Sequence, residues 1–374
     1  MIKYLGSKRV LAPAIVDAVR RVAGASCEVL DLFSGTSRVG HALKRAGHRV
    51  IANDHNAYAH TLARCYVQAD REDVEHDAGV LIDEFNRLAR GERGACEPGY
   101  FTRTFCERAR FVQPQNGARI DAIREAIAKR GLEPDLEAVL LVSLMEAADR
   151  VDSTTGVQMA YLKQWSRRSF NELQLRMPDV LPRAIGAERG CEAHRMDALD
   201  AARRLPAEVV YVDPPYNQHS YLGNYHVWES LVEWDKPEVF GVACKRLDVR
   251  ARRSAFNSRR TIECALRDVL TAATAHERCR GVVLSFSNEG FVSRTQLEAM
   301  LGSLFDGCAS VRAVEHDYPR YVGAKIGVYN PRGERVGRVS HVRNTEVVYE
   351  VTRANEPRAK AVGANAEHGE LVMP

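Results

Sequence analysis

Apolar residues recur along the chain in two different periods. Residues 11–22 carry them at helical spacing, which predicts a first helix. Residues 27–33 and 48–52 read as two strands. Between them 37–46 is helical in pattern and closes on Gly47, a residue suited to a helix C-cap. A further helix begins near His55. Strand, helix, strand and helix at this spacing predict a parallel sheet. From about 70 to 190 the strand signal lapses. There 75–90, 119–130 and 136–151 read as helices, with 139–145 as core. Strand signals return at 192–196, 209–212 and 282–286. Hairpin-like strands follow between 311 and 351, with Asn330-Pro331-Arg332-Gly333 as one turn. The Ala-, Glu- and Gly-rich stretch 354–374 reads as disordered. The expected class is α/β with a Rossmann-like sheet. Residues 1–66 and 191–353 make one discontinuous domain, interrupted by a mainly helical insertion over 67–190.

Candidate chemistry sits where these strands end. Val209-Val210-Tyr211-Val212 runs into Asp213-Pro214-Pro215-Tyr216. Two consecutive prolines fix their own φ and offer no N–H donors. A carboxylate, two bare carbonyls and an aromatic ring are therefore held together at a strand's carboxyl end, where open α/β sheets bind ligands. Such a group can accept hydrogen bonds from an amine while stacking on a flat ring. Asp31-Leu32-Phe33-Ser34-Gly35-Thr36 stands at the first strand-to-helix turn, where Gly35 lets a ligand approach the backbone. His41 and Ala42 stand where a phosphate loop needs Lys and Ser or Thr, so a nucleoside triphosphate is disfavoured. Asp54 ends the second strand, where dinucleotide folds place an acid for ribose hydroxyls. Asp197 ends the next sheet strand. It reads equally as a ligand to an amine and as an ordinary helix N-cap.

Composition narrows the class. The chain has 374 residues, 45% hydrophobic and 27% charged, which is ordinary for a globular protein. No apolar run approaches a membrane span and no signal peptide is expected. The nine cysteines are scattered without metal-type spacing, which fits a reducing cytoplasm and gives no support to a metal site. The net charge of +4 is a mild hint of a polyanionic partner. Its distribution is more telling. Lys245, Arg246, Arg250, Arg252, Arg253, Arg259 and Arg260 face a single acid, Asp248. Lys163, Arg167 and Arg168 interleave with Tyr161, Trp165 and Phe170. Each cluster reads by itself as a solvated surface run.

Taken together, Asp-Leu-Phe-Ser-Gly over 31–35, the acid at 54 and Asp-Pro-Pro-Tyr over 213–216 resemble the S-adenosylmethionine-dependent DNA adenine methyltransferases of the Dam type. Tyr4-Leu5-Gly6-Ser7-Lys8 is similar to the family's N-terminal motif, with Tyr4 where many relatives have Trp and Ser7 where many have Gly. Residues 216–226 and 285–290 resemble family segments that follow the catalytic turn. The resemblance implies a methyltransferase of Rossmann-like fold, acting with S-adenosylmethionine on adenine N6 in double-stranded DNA. It implies Asp213, Pro214, Pro215 and Tyr216 as catalytic. Tyr4, Lys8, Asp31, Phe33, Gly35, Asp54, Asp197 and Asp213 would hold the cofactor. The insertion would be a target-recognition domain. Lys163, Arg167, Arg168, Lys245, Arg246, Arg252 and Arg253 would contact DNA. It further implies a prokaryotic or phage-type cytoplasmic enzyme with no metal, and allows a cognate restriction endonuclease as partner. RNA adenine or a cytosine amine as substrate, and a non-catalytic cofactor-binding regulator, remain alternatives.

Overall fold

The computed structural model describes residues 1–92, 94–183, 189–319, 328–329, 335–337 and 343–354. Its centre is a seven-stranded sheet. In chain order the strands are β1 (Glu28–Asp31), β2 (Arg49–Asn53), β3 (Glu192–His194), β4 (Val209–Val212), β5 (Gly281–Ser287), β6 (Ala309–Pro319) and β7 (Arg343–Arg353). They lie side by side as β3-β2-β1-β4-β5-β7-β6. The first five are parallel, and β7 is antiparallel to both neighbours. The strands expected as a hairpin tail thus complete the main sheet. The turn expected at 330–333 and the stretch 355–374 lie outside the described residues.

Every residue of β1, β4 and β5 is buried. That explains why β4 and the first half of β5 read as apolar runs without alternation. The pleat sends alternate residues to opposite faces. Val29, Val50, Val209, Tyr211 and Val283 pack under α1 (Ala12–Ala23) and α2 (Arg38–Arg45). Leu30, Ile51, Val210, Val212 and Leu284 pack under α7 (Ala198–Arg204), α9 (Ile262–Thr274) and α10 (Arg294–Gly302).

The helical stretch forms α4 (Arg71–Ala89), α5 (Pro114–Ala128) and α6 (Pro134–Arg150). It does not enclose a core of its own. Phe85, Phe105, Ile123 and Leu144 join one cluster with Tyr58 and Leu62 of α3 (Ala57–Ala63) and with Trp228 and Leu231 of α8 (His226–Glu233). The buried Lys44 of α2 also reaches across, donating to Val67 O, Ala69 O and Asp70 Oδ1, each at 2.8 Å. The helices are therefore continuous with the sheet domain.

Candidate active site

The order of the strands fixes where a ligand can enter. The chain leaves β1 toward β2 on one side, and later crosses to β4 on the other. The carboxyl ends of β1 and β4 diverge at that switch point and open a crevice. A cavity of about 450 Å³ lies there. Tyr4, Lys8, the turn 31–36, Asp54, Asp197, Asp213, Pro215 and the segment 251–257 line it.

Asp31 is the last residue of β1 and is 1% exposed. No side chain among the described residues hydrogen-bonds its carboxyl, which has only the Gly40 backbone amide nearby to oppose the effect of burial, and Ser34 Oγ and the Tyr211 hydroxyl, both on the cavity wall, have no partner among the described residues. Leaving a buried polar group unpaired costs about 1–3 kcal/mol, so several on one wall call for a polar ligand. Burial, reinforced by Asp213 and Asp54, raises the Asp31 carboxyl to about 8. A cationic ligand would reverse that shift.

Gly35 follows with φ +52, a conformation that favours glycine. Space does not demand it, since an added Cβ would stand 3.5 Å from the Tyr4 ring. Its N–H donates to Asp54 Oδ2 at 3.0 Å, and Asp54 Oδ1 accepts from Asn56 N at 2.9 Å. Burial raises the Asp54 carboxyl, and these two amides oppose the rise. Ser37, before α2, makes no side-chain cap. Asp197 does: it accepts from Leu199 N at 2.9 Å and also lines the cavity. The N-cap reading of Asp197 holds, and its place on the cavity wall keeps it a candidate for a ligand amine. Phe33 meets Phe256 edge-on with centroids 5.0 Å apart, which ties the first turn to the 251–257 segment.

Asp213 enters the cavity directly after β4. Lys8 Nζ lies 3.0 Å from its Oδ1 and 2.7 Å from Glu346 Oε1 on β7. Burial raises the Asp213 carboxyl and Glu346 adds to the rise, while Lys8 opposes it. Burial alone would lower Lys8; Asp213 and Glu346 outweigh it and hold the ammonium well above its ordinary range. Pro214 is buried and Pro215 lines the cavity. The Tyr216 ring packs on Phe286 with centroids 5.4 Å apart, and Lys8 Nζ lies 5.7 Å from its centre. Tyr4 stacks on Tyr225 at 4.5 Å and on Tyr221 at 5.1 Å, and its hydroxyl is 3.0 Å from that of Tyr58. The N-terminal motif is thus clamped to the chain that follows the catalytic turn.

The basic residues divide. Arg246 is buried and binds Asp235 at 2.6 Å and Asp248 at 3.0 Å. Arg252 donates to the fully buried Glu229 at 2.6 Å, and Glu229 in turn accepts from Ala57 N and Tyr58 N at the start of α3. Arg168 binds Asp152 at 2.5 Å and the Thr154 carbonyl at 2.7 Å. These three, expected at DNA, each hold an acid of the fold, and for Arg252 and Arg168 that acid is buried, where leaving it alone would be costly. Lys163, Arg167 and Arg253 are exposed, and Arg253 lines the cavity. Lys245 is half-buried with Nζ 2.9 Å from Met159 Sδ, and burial lowers its ammonium.

Sequence reasoning missed Glu346, the Tyr211 hydroxyl and, in the 251–257 segment, every lining residue but Arg252 and Arg253. Glu346 left one trace: a lone acid ahead of Val347-Val348-Tyr349 in a strand run. Among the described residues no helix is long and apolar enough to cross a membrane, and no cluster of three His, Cys, Asp or Glu is placed to hold a metal.

Comparison with known proteins places the chain in a family. The model of the D12 class N6 adenine-specific DNA methyltransferases matches residues 4–267. The type II methyltransferase M.NlaIII of Neisseria lactamica is 28% identical over 349 residues, covering 91% of this chain and 98% of that protein. The modification methylase StsI of Streptococcus sanguinis is 27% identical over 325 residues, and the type II methyltransferase M.FokI of Planomicrobium okeanokoites 27% over 313. Those alignments cover 84% and 80% of this chain. The chain spans about half the length of these two relatives, 48% and 47%.

Proposed function

The chain belongs to the D12 class of N6 adenine-specific DNA methyltransferases, and from that premise we propose that it moves a methyl group from S-adenosylmethionine to N6 of an adenine turned out of duplex DNA. One observation carries the reading. Asp213 and the buried carboxyl of Asp31, which no side chain of the described residues bonds, line the same cavity, at the ends of the two strands that flank the switch point.

The residues fit the donor. Asp31 would take its ammonium, Asp54 the ribose hydroxyls, and the solvent-facing side of Asp197 the adenine amine. The Gly35 turn and Phe33 would bound the methionine end, with Tyr4 and Lys8 alongside. When bound, the donor supplies a methyl group made electrophilic by a cationic sulfur. Asp213 and the Pro214 carbonyl would each accept one amino hydrogen of the adenine. That draws the nitrogen toward tetrahedral geometry and frees a lone pair otherwise spread into the ring. As N6 bonds to the methyl carbon, the carbon–sulfur electron pair stays on sulfur, and one N6 proton leaves through Asp213 to water. Tyr216 would stack on the base. An adenine inside a duplex is out of reach, so it must be flipped at a cost of a few kcal/mol, offset by backbone contacts. Lys163, Arg167, Lys245 and Arg253 are the candidates for those contacts, and the helical stretch for target recognition.

The test is transfer of labelled methyl from S-adenosylmethionine to duplex DNA, followed by nucleoside analysis. N6-methyladenine is expected. Methylated cytosine, or no transfer by a folded, donor-bound protein, overturns the reading. The relatives' names extend the proposal to a restriction–modification role in a bacterial or virus-infected cytoplasm. It predicts that DNA methylated by this protein resists one site-specific endonuclease.

A further inference from the structure

Glu346 has no role in the reaction described above, yet it is built into the site. It lies on β7, opposite Ser287 of β5 and His316 of β6, and is 3% exposed. An acid so placed is strongly disfavoured unless it is paired. Its Oε1 accepts from Lys8 Nζ and from Ser285 Oγ, each at 2.7 Å. Lys8 is itself buried and stands 3.0 Å from Asp213 Oδ1. One ammonium is thus divided between two carboxylates. One of them is Asp213, which the proposed reaction uses; the other belongs to a strand beyond residue 267, where the family match ends.

We propose that Glu346 is a positioning residue for methyl transfer: by sharing the Lys8 ammonium, it leaves Asp213 stabilised as a carboxylate but with an oxygen still open to the adenine amine. The inference rests on the reading of Asp213 as the amine acceptor. The groups facing Asp213 are Lys8 from the N-terminal segment, Asp31 from β1, Tyr211 from β4, Tyr216 and Tyr221 from the chain beyond, and Glu346 from β7. Lys8 is the cation of this set. Without Lys8, Asp213 would face Asp31 and Glu346 and take up a proton. Without Glu346, Lys8 keeps Asp213 as its charged partner and closes on it. The carboxylate then ionises more readily but is spent on the lysine. Ser285 holds Glu346 in register, and a lysine stem with four rotatable carbons needs that anchor to stay between two acids.

The two single variants are therefore expected to move the acid limb of the rate profile in opposite directions. Single-turnover methyl transfer to duplex DNA is measured between about pH 5 and 9 for wild type, Glu346→Gln, Lys8→Met and the double variant. Glu346→Gln should lower the plateau rate about tenfold and shift the acid limb to lower pH, with DNA and donor dissociation constants within about threefold. Lys8→Met should shift the limb to higher pH. The double variant should be no slower than Lys8→Met alone, because Glu346 acts through Lys8. A wild-type profile in Glu346→Gln, or effects that multiply in the double variant, overturns the proposal. If Glu346→Gln does not fold, Ser285→Ala should show the same shift at smaller size, and a wild-type profile there overturns it as well. A wild-type protein without turnover on DNA counts against the functional reading. The same cycle read in melting temperature then tests the pairing, and additive changes there overturn it.

Discussion

Two charged regions marked out by the sequence finish folding in opposite conditions. At the switch point, Asp31 reaches its buried place with no side chain bonded to either oxygen, and Asp213 shares one lysine with Glu346. In the basic run after 245, Arg246 pairs with Asp235 and Asp248, and Arg252 shares Asp248 and caps the buried Glu229. The acids are left wanting and the arginines are satisfied. A deficit of bonds in a buried acid costs stability that a polar ligand or a bound proton can restore. A closed set of bonds already spends its energy on the fold. The difference separates a site from a scaffold within one cavity wall, and both regions would look equally functional as strings of charged letters.

The comparison breaks most sharply at Asp213. Asp213→Ala should lower the single-turnover rate by at least about a hundredfold, as loss of one preorganised polar group does, while the melting temperature holds. A mild loss of rate would place Asp213 among the scaffold groups. At Arg246 the expectation inverts. Arg246→Ala should cost about 2 kcal/mol of unfolding free energy in urea, as Asp235 and Asp248 are half-exposed and keep some solvation. The salt dependence of DNA binding should stay as in wild type. A drop in that slope by about one would show a phosphate contact instead.

Asp31 sharpens the contrast through pH. Its folded-state carboxyl sits near 8, far above an unfolded aspartate. The folded state thus holds a proton that the unfolded chain has released, so this group's contribution to stability falls as pH rises through the window from about 4 to 8. Asp31→Asn should remove that fall, as followed by urea unfolding of the ligand-free protein. Donor binding should tighten up to about pH 8 as Asp31 ionises, with proton release seen by calorimetry; in Asp31→Asn it should be about tenfold weaker and lose that pH dependence. The smallest effect is expected at Arg253, the exposed arginine on the cavity rim. Arg253→Ala should weaken DNA binding a few-fold and lower the salt slope by about one.

Much of this was legible from the residues. The runs at 209–212 and 282–286 announced buried parallel strands, and Asp213-Pro214-Pro215-Tyr216 marked a strand's end with amine-accepting chemistry. Such features are local: side-chain period and proline geometry decide them within a few residues. The pairing of arginines was not legible. Arg246 and Arg253 look alike in sequence, and only Asp235 and Asp248 on one side and open cavity on the other tell them apart. The helical stretch was legible as helices but not as part of the main body. Its apolar faces meet α3 and α8 across long chain separations.

By itself, the sequence determined most of the elements, the parallel sense of the first strands and the carboxylates that end β1, β2 and β4, because hydrophobic period and turn chemistry act over short range. Only the tertiary structure decided which charges have partners. Lys8, Asp213 and Glu346 come from the N-terminal segment, the middle of the chain and its last strand, and they meet because β7 slots between β5 and β6. Burial then makes each of those charges depend on the others.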